Sequence, residues 1–123
     1  MKGVLWVGLG GFVGAIARYL LATWIAGRAG TAFPLGTLVI NLSGSLVLGL
    51  LVGVLENHVT PPTLRLALAT GFLGAYTTFS TFTYETIRLV EEGSFLLAAL
   101  NAGGSLALGL GAVFGGLGLG RAL

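Results

Sequence analysis

Three stretches of the chain carry no charged residue over a length that suits a membrane crossing. They cover residues 29–55, 66–84 and 93–120, and a fourth apolar stretch near the N-terminus is interrupted only by Arg18. An α-helix needs about 20 apolar residues to cross the hydrocarbon core of a bilayer. The sequence therefore predicts an all-α membrane protein with four transmembrane helices, near residues 3–26, 35–55, 63–90 and 94–120.

The composition excludes several classes of protein. Only 8% of the 123 residues are charged, whereas a soluble domain carries about 25%. The net charge of +2 comes from single, scattered basic residues, which do not indicate a nucleic-acid partner. The chain has no cysteine, so it has neither a disulfide framework nor a thiolate metal site. We predict one transmembrane domain over residues 1–123, whose first helix is not a cleaved signal, because Arg18 interrupts that pattern and apolar sequence resumes at Tyr19.

The basic residues are balanced across the predicted membrane. Four crossings place three of them on one side and three nearer the other: Lys2, Arg65 and Arg121 against Arg18, Arg28 and Arg88. The positive-inside rule then has no bias to act on, which favours insertion in both orientations and an antiparallel homodimer. The alternative is that Arg18 is buried and does not count, which leaves a weak bias.

Glycine pairs spaced by four residues recur on the predicted helices: Gly10/Gly14, Gly49/Gly53, Gly111/Gly115 and Gly116/Gly120. In lipid, small residues at this spacing let helix backbones approach closely. We expect most of these pairs to pack helices within one subunit. Four helices enclose little space, so a pore would require a second copy of the chain.

Polar residues cluster at membrane depth on three of the predicted helices. They are Thr37, Asn41, Ser43 and Ser45 on the second; Thr70, Thr77, Thr78, Ser80, Thr81 and Thr83 on the third; and Asn101 and Ser105 on the fourth. Polar groups at this depth are costly and usually face a partner or a water-filled path. Amide and hydroxyl donors without a negative charge suit an anion. The alternative is that they only hydrogen-bond helices to one another.

The centre of the third helix, residues 71–82, is poor in helix-forming residues. We predict a break there, whose freed carbonyl oxygens would suit a small hard cation such as sodium. The alternative is a continuous helix whose hydroxyls bond to the preceding turn. Phe79 and Phe82 share a helix face, and the positive edges of their rings suit contact with an anion, although two such residues often face lipid or core.

Three segments, in this order and spacing, resemble the CrcB/Fluc family of bacterial fluoride channels. They are residues 11–19, 36–44 and 71–82, and the resemblance extends over the whole chain. It implies an antiparallel dual-topology homodimer with two pores in the cell (inner) membrane, which exports fluoride passively and so protects the cytoplasm. The chain departs from the family at Ala75, where a second glycine is common, and at Asn101, where an aromatic residue is expected.

The resemblance also implies roles for individual residues. The fluoride path would be lined by Asn41, Phe79, Ser80, Thr81, Phe82 and Ser105. Arg18 matches an arginine of the vestibule. Backbone carbonyls of Gly74 and Thr77, from both subunits, would hold a structural sodium ion.

Two other classes of function compete with a channel. A small proton-coupled exporter needs an ionisable group at the membrane midplane, and Glu85, near the end of the third helix, is the only candidate. A purely structural membrane subunit does not explain polar residues on three helices. We predict that the chain is not an enzyme, since no metal site or catalytic triad can be assembled around its single histidine, His58.

Overall fold

The computed structural model describes all 123 residues as helices joined by short turns. The helices are α1 (Lys2–Ala29), α2 (Leu35–Asn57), α3 (residues 62–76), α4 (Phe79–Glu91) and α5 (Phe95–Ala122). Together, α3 and α4 correspond to the third predicted helix, so all four predicted segments are present. The all-α class is confirmed, and the observed ends differ from the predicted ones by up to three residues.

Glycine and proline set two of the helix ends. α1 runs three residues past its predicted end and stops at Gly30, whose left-handed backbone (φ 53°) favours glycine. α3 begins with Pro62, at a position where the missing N–H of proline costs nothing because the first turn has no partner for it. Both ends therefore follow from local backbone chemistry.

Three helices are each long and apolar enough to cross a membrane. The mean hydropathy of their most apolar windows is 1.7 for α1, 2.3 for α2 and 1.7 for α5. α3 and α4 are shorter and supply the remaining segment jointly. Only 15 of the 123 residues are buried within the chain, because most apolar side chains of a membrane helix face lipid or another chain rather than their own core. The chain is a multi-pass membrane protein.

The helices pack as two close pairs, α1 with α3 and α2 with α5, through glycines. A methyl group added at Gly10 or Gly14 would collide with backbone oxygens of α3. Methyl groups at Gly49 or Gly116 would collide with the backbone of the facing helix in the second pair. Small residues thus allow backbone contact, as three of the four predicted glycine pairs require.

One glycine pair, Gly111 and Gly115, does not pack against another helix of the subunit. Nothing within the subunit lies within 4 Å of a methyl group added at Gly111 or Gly115. Gly116 and Gly120, one residue further round α5, face α2 instead. Spacing identifies a pair on one face, but it does not say which face meets a neighbour.

Two stretches of wider, π-type helix interrupt the regular hydrogen-bonding pattern. One covers Leu66–Leu73 in α3, just before the chain unwinds, and the other covers Leu100–Gly104 in α5, around Asn101. Such turns are rare and are frequently found at functional sites. The sequence did not predict either of them.

Candidate permeation site

The third transmembrane segment is broken at Thr77 and Thr78. Both residues have extended backbones, with ψ of 159° and 116°, between the last residue of α3 and the first residue of α4. The Thr78 side chain caps α4, because its Oγ1 accepts a hydrogen bond from the Thr81 amide at 3.2 Å. Threonine is a good capping residue because its hydroxyl replaces a missing helical acceptor. The predicted break is therefore present, and Thr78 stabilises it.

Asn41 on α2 holds the break through both polar atoms of its side chain. Its Oδ1 accepts from the Thr78 amide at 2.8 Å, and its Nδ2 donates to the Thr78 carbonyl at 3.0 Å. In a continuous helix the Thr78 amide would donate to the Gly74 carbonyl four residues earlier. Asn41 thus replaces backbone hydrogen bonds that the break removes.

Arg18 on α1 lies at the same place. Its Nη1 donates to the Thr77 carbonyl over a long 3.5 Å contact, and the pair is partly buried. Thr77 also donates through Oγ1 to the Leu73 carbonyl at 3.0 Å, which ties it to the end of α3. The structure therefore brings the arginine of α1 to the unwound backbone.

Beside the break lies an open groove of about 280 Å³, which we call the phenylalanine groove. The Phe79 and Phe82 rings lie 5.9 Å apart with their planes at 46°. Asn41 and Ser105 join them, so four of the six residues predicted to line a path meet there. The complete lining is Asn41, Ser45, Phe79, Phe82, Ser105, Leu106, Gly109, Leu110 and Val113.

Ser80 and Thr81, the other two predicted path residues, do not line this groove. Both are exposed on the subunit surface, and both face the Thr78 hydroxyl, at 3.4 Å and 3.0 Å. Their hydroxyls belong to the cap of α4. Ser45, which the sequence marked as polar but not as a path residue, lies in the groove instead.

A second groove, of about 290 Å³, adjoins the first and shares Asn41, Ser45 and Phe79 with it. Gly74 and Thr77, the predicted sodium ligands, line this groove. Gly74 is exposed on the subunit surface. The chain contains no cluster of three or more histidine and carboxylate side chains that could hold a metal. The oxygens beside this groove belong to backbone carbonyls and to neutral side chains such as those of Asn41 and Thr77.

A third polar contact lies between α2 and α4. The Thr37 hydroxyl donates to Oε1 of Glu85 at 2.9 Å, at the edge of a cavity of about 410 Å³. The other carboxylate oxygen, Oε2, is buried and has no hydrogen-bond partner. Glu85 thus has one satisfied and one unsatisfied oxygen.

Comparison with known proteins places this chain in a family. The family described as CrcB-like protein, Camphor Resistance (CrcB), matches residues 5–117. The chain belongs to the CrcB family. It is similar to the fluoride-specific ion channel FluC of Acidobacterium capsulatum, with 52% identity over 95% of this chain and 94% of the relative.

Two further relatives have the same name. The FluC proteins of Nitratidesulfovibrio vulgaris and Solibacter usitatus are each 48% identical to the chain, over 98% and 95% of its length and 98% and 97% of their own. These named relatives are ion channels rather than enzymes, which is the class predicted from the sequence. The CrcB resemblance found in the sequence motifs is therefore confirmed along nearly the whole chain.

Proposed function

We propose that this chain forms a fluoride-selective channel through which fluoride leaves the cell passively, so that less of it accumulates in the cytoplasm. The observation that carries the proposal is the phenylalanine groove, where Asn41, Phe79, Phe82 and Ser105 meet. The names of relatives that are about half identical supply the ion. The membrane concerned is the cell (inner) membrane.

The chemistry of the groove suits a small anion. None of its lining residues is ionisable, so no carboxylate repels a negative charge there. Asn41 and Ser105 carry N–H and O–H donors, and aromatic rings present a positive edge. Fluoride is strongly hydrated, and such donors replace part of its water shell. Conduction also requires contacts that are weak enough to release the ion.

We further propose that the channel is an antiparallel, dual-topology homodimer with two pores. The phenylalanine groove opens on the surface of the single chain, where Phe79 is 77% exposed. A second copy would cover this surface and close the groove into a path. The balanced basic residues give neither orientation an advantage during insertion.

A structural sodium ion at the break is also part of the proposal. The Gly74 carbonyl lacks its usual helical donor, because the Thr78 amide is bound to Asn41. The Thr77 carbonyl has only the long contact with Arg18. Unwound carbonyls of this kind suit sodium in membrane proteins. Gly74 and Thr77 would supply two oxygens from one chain, and the second copy would supply two more.

Glu85 favours one competing function, a proton-coupled exporter. Its buried, unpartnered oxygen is the one site in the transmembrane region where a proton could be taken up by a carboxylate. It lies on α4, against Thr37, and it does not line the phenylalanine groove.

Fluoride efflux from liposomes tests both proposals. Vesicles loaded with fluoride and carrying the purified protein should release it down its own gradient, and an imposed proton gradient should not drive net transport. Chloride-loaded vesicles serve as the selectivity control and should retain their ion. Fluoride transport that follows the proton gradient would instead support the exporter, and no fluoride release at all would refute the channel.

A further inference from the structure

Asn101 connects the phenylalanine groove to the backbone of α4 through a chain of hydrogen bonds. Its side chain is almost fully buried, at 1% exposure, and it is not one of the groove's lining residues. Its Nδ2 donates to Thr86 Oγ1 at 2.8 Å, and its Oδ1 accepts from Ser105 Oγ at 3.3 Å. Thr86 Oγ1 in turn donates to the Phe82 carbonyl at 2.8 Å. Of these side chains, only Ser105 reaches the groove.

The last acceptor in this series of hydrogen bonds, the Phe82 carbonyl, fixes the direction of all the others. A backbone carbonyl can only accept, so the single hydroxyl proton of Thr86 must point to Phe82. Thr86 Oγ1 can then only accept from Asn101, which requires the amide nitrogen of Asn101 on that side. The amide oxygen therefore faces Ser105, and the Ser105 proton must point to it.

We infer that Asn101 is a positioning residue that weakens anion binding in the groove by holding the Ser105 proton away from it. The inference rests on the proposed function. In the resting groove Ser105 presents its lone pairs, which do not attract an anion. Fluoride must compete with the Asn101 oxygen for one proton, and the long 3.3 Å bond makes that proton easy to release.

Replacing Asn101 with a residue of similar size that cannot accept a hydrogen bond tests this competition. In Asn101→Leu the Ser105 proton is free to turn into the groove. Since a neutral hydrogen bond contributes little net free energy, the fluoride concentration that gives half-maximal efflux should fall by about 2- to 10-fold. The same substitution made together with Ser105→Ala should cause no shift beyond that of Ser105→Ala alone, because the two residues act as a unit.

Thr86 provides a second test at a residue outside the groove. Thr86→Val removes the acceptor that fixes the Asn101 amide, so the amide can turn its N–H towards Ser105 and release the Ser105 proton. Half-maximal efflux should then shift in the same direction as in Asn101→Leu. Thr86→Ser keeps the hydroxyl and should restore the parental value. A purely structural role for Asn101 would not produce this pattern.

The outcomes separate the two proposals. A parent protein that releases no fluoride overturns the proposed function and this inference with it. A conducting parent whose half-maximal concentration is unchanged by Asn101→Leu, or shifts equally in the Ser105→Ala background, overturns the inference alone. Elution as a single species on size exclusion shows that each variant is folded. If Asn101→Leu does not fold, the Thr86→Val variant decides. A half-maximal fluoride concentration that Thr86→Val leaves unchanged refutes the hydrogen-bond directions assigned between Ser105 and Phe82.

Discussion

Asn41 contacts both the broken backbone and the phenylalanine groove, so Asn41→Asp is the most informative single change. The two side chains have nearly the same shape, and one carboxylate oxygen can still accept from the Thr78 amide. The other oxygen replaces the Nδ2 donor and would lie about as far from the Thr78 carbonyl as the 3.0 Å of the present bond. Two acceptors then face each other with no proton between them.

The Asn41→Asp substitution should lower both the stability of the protein and its rate of fluoride efflux, and the two effects can be measured separately. Thr78 is buried, so its carbonyl loses its partner without gaining water, which costs about 1–3 kcal/mol of stability. In the groove, an anion loses a donor that contributes about 1.5–3 kcal/mol and meets a negative charge as well. Since about 1.4 kcal/mol corresponds to a tenfold change in rate, fluoride efflux should fall at least about tenfold if the barrier lies there.

Asn57→Asp is a matched control on the same helix. Asn57 also donates from Nδ2 to a backbone carbonyl, that of Arg121, at 2.9 Å, but it lies exposed at the end of α2. Efflux of fluoride from liposomes and thermal unfolding in detergent would be measured for both variants. We expect Asn57→Asp to conduct like the parent. Parental efflux from Asn41→Asp, or an equal loss in both variants, would refute the assigned role of Asn41.

Further changes test the remaining parts of the structure. Phe79→Ile and Phe82→Ile should each reduce fluoride efflux sharply while the protein still elutes like the parent on size exclusion. Undiminished efflux would show that the rings do not line the path. Gly116→Ala should lower the unfolding temperature, because overpacking against α2 destabilises the fold by about 1–3 kcal/mol. Gly115→Ala is the control and should leave the unfolding temperature unchanged, since its added methyl group meets no atom within the subunit. Thr77→Pro removes the hydrogen bond from the Thr77 amide to the Leu73 carbonyl, so it should be tolerated far less well than Thr77→Val. A reporter at the C-terminus should be found on both sides of the membrane, and detection on one side only would contradict dual topology.

The helices and the break follow from local properties of the sequence. Uncharged stretches of membrane-spanning length determine the segments, because charges are costly in lipid. The run from Gly71 to Phe82 unwinds at Thr77 and Thr78, where hydroxyls can replace helical hydrogen bonds. Local sequence is enough to predict both features, and the contact that completes the broken backbone comes from Asn41 on α2.

The partners of the polar residues could not be predicted in the same way. Asn41 and Thr78 are 37 residues apart, and their contact depends on how α2 lies against the break. The hydroxyls of Ser80 and Thr81 lie against the Thr78 hydroxyl, and their place on an ion path stays a prediction. The cap itself had a local signal, since threonine is a preferred N-cap residue whose hydroxyl accepts from a backbone N–H two or three residues later. Asn101 gave no such signal, because its partner Thr86 lies on a different helix.

The hydrogen-bonding capacity of the groove limits how tightly one chain of the proposed channel can hold an anion. A side-chain amide has two N–H donors and two acceptor positions, and Thr78 uses one of each. One N–H is left for an anion in the groove, while the Ser105 proton is directed to Asn101. In the proposed channel, fluoride that leaves water therefore meets one N–H of Asn41, the Ser45 hydroxyl and two ring edges on this chain. The missing donors must come from residual water or from the proposed second copy, and the weak hold that results is what rapid release requires.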